Sequence, residues 1–139
     1  MSEKFAIVAC TGMGKILASV GRYAALYLTS TLRPDETINI CFPCTVSNDK
    51  ESLELIRTHP VIIIDGCIET CGRKIISKLN SNVIAHLKVW EILGEHRDLK
   101  PESRVDIGEK GRKLAVIIAE EITKLIDDYK EKNISAGNQ

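Results

Sequence analysis

With 139 residues, 44% of them apolar and 27% charged, the chain has the size and balance of one soluble globular domain, which excludes a collagen, a coiled coil and a disordered tail. Nineteen Lys and Arg oppose nineteen Asp and Glu, and aromatic residues make up only 4%, so neither a cationic field nor a set of stacking platforms is present to engage nucleic acid. The longest unbroken apolar run, Phe5 to Cys10, is far short of the ~20 residues that cross a bilayer, and no membrane partner is expected.

The leading Met1-Ser2-Glu3-Lys4 is too acidic, and the apolar stretch behind it too short, for a signal peptide, which points to a cytosolic protein. Phe5 to Ala9 reads as a first strand that ends in Cys10-Thr11-Gly12-Met13-Gly14, the punctuation of a strand turning into a helix. From Lys15 to Thr31 the residues Ile16, Val20, Ala24 and Leu28 recur every fourth position, with Leu17 and Tyr27 widening the stripe, until Pro34 forbids continuation. Thr37 to Cys41 predicts a second strand, and Cys41-Phe42-Pro43-Cys44 a loop beyond it.

Asn48 with Glu51 reads as a capping box for a short helix carrying Leu53 and Ile56, which His59-Pro60 stops. Val61 to Ile64, β-branched throughout, predicts a central parallel strand covered on both faces, and it ends at Asp65-Gly66-Cys67. Ile68, Ile75, Ile76 and Leu79 mark a helix that Asn80-Ser81-Asn82 terminates. Val83, Ala85, Leu87 and Val89 then alternate as a fourth, edge strand that also holds Trp90.

Gly94 to Val105, with Pro101, reads as a long loop. Asp106 and Glu109 would cap a last helix striped by Leu114, Ile118, Ile122, Leu125 and Tyr129, with Ile117 and Ile126 beside it. Strands alternating with helices imply an α/β three-layer sandwich: an open, mostly parallel sheet of about four strands with helices on both faces and right-handed crossovers. The expected organisation is one domain over residues 1–131 and a frayed tail over 132–139.

Composition alone does not show where the five cysteines fall. Cys10, Cys41 and Cys67 each follow a predicted strand, and in an open parallel sheet all carboxyl ends open on one edge. Cys44 shares a loop with Cys41, and Cys71 lies one helical turn beyond Cys67, so all five can converge. A reducing cytosol argues against structural disulfides. Core cysteines would scatter along strands and helix faces, whereas none of these lies in the middle of a predicted strand. Clustering at three strand ends points to a shared chemical task.

Cys10-Thr11-Gly12 after the first strand, Cys41 after the second, and Ile64-Asp65-Gly66-Cys67 with Cys71 four residues on resemble the DGC-domain family, which is associated with zinc binding and takes its name from the central motif. The resemblance runs from about Phe5 to the third helix. It implies four zinc-chelating cysteines, which by position are Cys10, Cys41, Cys67 and Cys71. Cys44 departs from the pattern and is an alternate ligand. The metal ion is the one partner this implies, and no protein partner is legible.

Four thiolates around Zn²⁺ carry a net charge of −2 that needs compensation. Helix N-termini at the strand ends, with Lys15, Arg73 and Lys74 nearby in sequence, are expected to supply it and to lower thiol pKa values. Gly12, Gly14, Gly66 and Gly72 either admit close backbone approach to the sulfurs or serve plain turns. Asp65 is expected to accept hydrogen bonds from loop N–H groups and orient Cys67 rather than act as a base. His59, His86 and His96 have no ligand spacing and read as surface or loop residues.

Competing chemistries fare worse. A P-loop would need glycine at Ala9 and Ser or Thr at Ile16, and a dinucleotide fingerprint would need glycine at Leu17. A C-x₅-R phosphatase loop would need arginine at Ile16. A phosphocysteine loop of the phosphotransferase type places its glycines one position later and leaves Cys41, Cys67 and Cys71 without a task, so it ranks third. The runner-up is thiol redox at the C-x-x-C pair Cys41 and Cys44, or an iron–sulfur cluster on the same thiolates.

Overall fold

The computed structural model describes residues 3–12 and 14–137; Met13, in the middle of the expected Cys10 to Gly14 turn, and the terminal pairs Met1-Ser2 and Asn138-Gln139 lie outside the described residues. Its strands are β1 (Phe5–Cys10), β2 (Thr37–Ile40), β3 (Pro60–Asp65) and β4 (Asn82–Lys88). They form one sheet in the order β2-β1-β3-β4, with every pairing parallel. All six residues of β3 are buried, as a central strand with helices on both faces requires.

The helices are α1 (Ile16–Tyr27), α2 (Phe42–Val46), α3 (Lys50–Thr58), α4 (Cys71–Ile76), α5 (Val89–Glu95) and α6 (Gly108–Gly137). Strand pleating sorts the core into two clusters. Phe5, Ile7, Ile62 and Ile64 meet Val20 and Ala24 of α1 and Leu114, Ile118 and Ile122 of α6. Ala6, Val8, Val61 and Ile63 meet Leu53 and Ile56 of α3 and Ile76 of α4. The result is the expected three-layer α/β arrangement, with α1, α5 and α6 on one face and α3 and α4 on the other. Each fully buried Ile or Leu contributes roughly 1.5–3 kcal/mol of transfer free energy.

Several local expectations are corrected. Cys41 to Cys44 is no simple loop: Cys41 is the N-cap residue of α2, and Pro43 is accommodated in the first turn, where its missing N–H is not needed. The cap of α3 is Asp49, whose Oδ2 accepts from Ser52 N at 2.9 Å, while Asn48 takes a left-handed φ of 65° just before it. Ile68 lies outside α4 and is exposed, because the chain turns from Cys67 to Thr70 before the helix begins. Val89 and Trp90 belong to α5 rather than to β4, and the end of α5 with a 3-10 turn at Arg97–Leu99 takes up the first part of the expected long loop. α6 runs through Gly137, past the expected start of a frayed tail, and buries Ile126 while Leu125 stays partly exposed.

From β1 the chain moves to one side for β2, then crosses back to β3 on the other. The carboxyl ends of β1 and β3 therefore border the crevice of a topological switch point, the customary ligand position in an open α/β sheet. In that crevice Cys10 lies directly opposite Asp65 in register.

Candidate functional site

Asp65 is 1% exposed, and its carboxylate organises the switch point. Oδ1 accepts from Gly72 N at 3.0 Å, and Oδ2 accepts from Arg73 N at 3.1 Å and from Nε2 of His86 at 2.7 Å. Two donors come from the first turn of α4 and the third from β4, so one buried carboxylate ties three segments together. Gly72 is where it is because a Cβ there would stand 2.7 Å from Asp65 Oδ1 and 3.0 Å from Ile63 Cγ2. Gly66 has a different reason: a Cβ there would stand 2.3 Å from the backbone N of Ala18, at the start of α1. Gly12 and Gly14 meet nothing comparable, so close approach explains only the two glycines around the Asp65 segment.

Cys67 is half-buried and opens a turn in which Thr70 N donates to its carbonyl at 2.9 Å. Thr70 takes φ 50° and ψ 45°, a left-handed conformation that is unfavourable for a β-branched residue, and α4 starts at the exposed Cys71 directly after it. Cys10 is half-buried across the crevice, and the groups that act on it are Asp65, Cys71 and Cys67. Cys41 is exposed and Cys44 half-buried, and Cys44 N donates to Cys41 O at 3.1 Å in the first turn of α2.

The expected depression of the thiol pKa values is reversed at two positions. Burial, reinforced by the negative charge of Asp65, Cys71 and Cys67, pushes the Cys10 thiol up, and the backbone N–H of Gly12 offsets this only in part. The hydrogen bond from Cys41 does the same to Cys44, with burial and Asp49 adding to it, against a smaller opposing effect of Ser52. Helices of five and six residues at Cys41 and Cys71 are too short to supply much compensating dipole. Lys15 is exposed and caps α1 through its main chain, and Arg73 and Lys74 are exposed as well.

All five cysteines are free thiols. Their positions sort them into two sets, Cys10, Cys67 and Cys71 around the carboxyl ends of β1 and β3, and Cys41 with Cys44 on α2 after β2. Among the described residues no three His, Cys, Asp or Glu side chains are placed as a ready coordination shell.

His86 was expected at the surface, and its side chain is instead 9% exposed and bonded to Asp65. The reason is a β-bulge. Val61 pairs with Val83 but Ile62 pairs with Ala85, so the extra residue changes the alternation of β4 and sets His86 opposite Ile63, on the face of α4. A histidine in an edge strand beside a strand ending in aspartate was the available sequence signal, but strict alternation hid it. His59 closes α3, with Nδ1 near Leu55 O at 3.0 Å, and His96 closes α5.

Fold and site together define a doubly wound α/β protein with free thiols grouped around its topological switch point. The DGC domain matches residues 6–110, most of the chain and all five cysteines, and the chain belongs to the DGC-domain family. No curated protein and no solved structure matches it. No helix among the described residues is long and apolar enough to cross a membrane.

Proposed function

We propose that the protein binds one zinc ion through thiolates at the carboxyl edge of its sheet, with Cys10, Cys41, Cys67 and Cys71 as ligands and Cys44 as the alternative to Cys41. The observation that carries this is the placement of Cys10 at the end of β1, Cys67 two residues past the end of β3 and Cys71 at the start of α4, all on the carboxyl side of the β1/β3 switch point. The residues fit the metal by the chemistry of the donor set, since free thiols are the soft ligands that zinc takes in closed sites. A bound divalent cation would supply the positive charge that the surrounding thiols and Asp65 lack. Asp65 supports the site by fixing the start of α4, and Lys15 by placing a cation at the start of α1. Metal handling, sensing or thiol transfer in a reducing cytosol would suit an ion held at an exposed edge.

The test is metal analysis of protein purified without added metal. Close to one zinc per chain in a colourless sample is the expected result. Cys67→Ser should then weaken zinc more than Cys44→Ser in a chelator competition. Iron and sulfide in a brown sample would transfer the same thiolates to an iron–sulfur cluster, and a metal-free sample would end both readings.

The C-x-x-C pair Cys41 and Cys44, which the Cys44 N to Cys41 O hydrogen bond holds in the first turn of α2, favours a second reading, a redox dithiol. Oxidation by glutathione disulfide would join the two sulfurs and pass two electrons and two protons to two molecules of glutathione. Metal-free protein forming this one disulfide reversibly in glutathione buffers is its expected signature.

A further inference from the structure

On the α1 side of the sheet lies a cleft of about 260 Å³ that neither the thiols nor Asp65 reach. One wall is α1, where Ser19, Arg22 and Tyr23 fall on one face by their i, i+3, i+4 spacing. The opposite wall is the loop from Glu102 to Ile107, and α6 contributes Arg112. That loop is closed on itself: Glu102 N donates to Ile107 O, and Ser103 N to Asp106 O, each at 3.0 Å. Ser19 Oγ donates to Arg104 O at 3.1 Å, which ties the loop tip to α1 across 85 residues of sequence. Arg104 thus lines the cleft with Arg22 from a backbone tied to α1.

The charge around this cleft is unbalanced. Three arginines and one carboxylate, Asp106, line it, and Asp106 Oδ1 already accepts from Gly108 N at 2.9 Å besides lying 3.4 Å from Arg112. Neither Arg22 nor Arg104 forms an ion pair among the described residues, whereas Arg33 elsewhere on the molecule engages both Glu36 and Asp127. In a chain of zero formal charge, such a gathering of like charge raises the free energy of the empty cleft and lowers it when an anion enters. Three forked donors exceed what the two oxygens of a carboxylate can accept and match the three terminal oxygens of a phosphate. The cleft is larger than a phosphate alone, and a chain with few aromatics and no net charge is ill suited to nucleic acid.

We propose that Arg22, Arg104 and Arg112 bind the phosphate group of a small phosphorylated ligand in this cleft. Arg22 also lines a neighbouring cleft of about 230 Å³ with Thr11 and Cys41, so the rest of such a ligand has a path along α1 toward the thiol edge. The site is independent of the zinc reading, because no thiol contributes to it.

Inorganic phosphate and pyrophosphate, titrated at constant ionic strength and followed by amide NMR, provide the test. Saturable shifts are expected at Ser19 to Tyr23 and Arg104 to Ile107, with pyrophosphate the tighter of the two. Arg22→Gln and Arg104→Gln should each weaken binding by about tenfold, given the strength of charge-assisted hydrogen bonds. Lys78→Gln, on the opposite side of the sheet, should leave it unchanged. The same behaviour is expected of chelator-treated protein. Shifts that fail to saturate or that sodium chloride reproduces would reduce the effect to diffuse screening and overturn the proposal. So would binding that chelation abolishes and the arginine variants do not affect, which would place the anion on a metal.

Discussion

Asp65 shows how one residue sets the geometry of its neighbours. Its two oxygens serve Gly72 N, Arg73 N and His86 Nε2 with almost no solvent contact, so losing one donor leaves part of a buried charge unsatisfied. His86→Ala should therefore cost about 1.5–3 kcal/mol in urea denaturation. The amides of Gly72 and Arg73 should exchange faster; unchanged stability would mean that α4 alone satisfies the carboxylate. Gly72→Ala makes a different test, because its new methyl would press on Asp65 Oδ1 and Ile63. A loss of about 1–3 kcal/mol is expected from such overpacking, and a neutral result would show that α4 can shift freely. Asp65 and Cys67 were legible as site candidates because a strand end in a parallel sheet is a functional position. His86 was not, because a bulge is an insertion in pairing and leaves no mark on one strand read alone.

Elements are joined at the opposite end of the sheet by a charge network rather than by thiols. After the π turn at Leu28–Leu32, Arg33 donates to Glu36 at 3.0 Å and to Asp127 of α6 at 2.8 Å, and Lys130 of α6 donates to Glu36. Beside it Phe5 of β1 meets Tyr129 edge-on, with ring centres 5.6 Å apart. The Lys130 and Arg33 hydrogen bonds hold Glu36 below the usual carboxylate range, and Arg33 does the same for Asp127. Groups with a depressed folded pKa contribute stability that is present above the unfolded pKa and is lost as pH falls through the folded one. Stability should thus decline from about pH 5 downward. Asp127 is half-exposed, so solvent and salt limit its pairing to about 1 kcal/mol or less. The urea midpoint of wild type should exceed that of Asp127→Asn at neutral pH and approach it in acid or high salt. A gap independent of pH would assign the effect to packing.

The long-period elements were legible in the sequence, since the stripes of α1 and α6 and the apolar run of β3 repeat the same instruction many times. Short elements were not. α2 and α5 span five and seven residues, too few for a period to emerge, and tertiary contacts hold them in place. The cap of α3 slipped by one residue because Asn48 and Asp49 are both good capping types, and only the left-handed φ of Asn48 separates them.

On the scale of the whole molecule, the two hydrophobic clusters contain none of the five cysteines. Chelated protein is therefore expected to keep its far-UV circular dichroism and a cooperative thermal transition, unlike a zinc finger. Amide exchange should rise only around Phe42 to Val46 and Gly66 to Lys74, and in the turn after β1. Global unfolding on chelation would instead make the metal a staple for a core that cannot hold alone.

Sequence by itself determined the layers, the strand directions and the edge on which the cysteines gather, because hydrophobic period and the handedness of crossovers are local properties repeated along the chain. Tertiary structure decided the rest. The register of β1 and β3 put Cys10 opposite Asp65, the bulge in β4 brought His86 to the same carboxylate, and the fold of the 102–107 loop onto α1 gathered three arginines that lie up to ninety residues apart. Each is a pairing between segments distant in sequence, and register, unlike period, is set only when the segments meet.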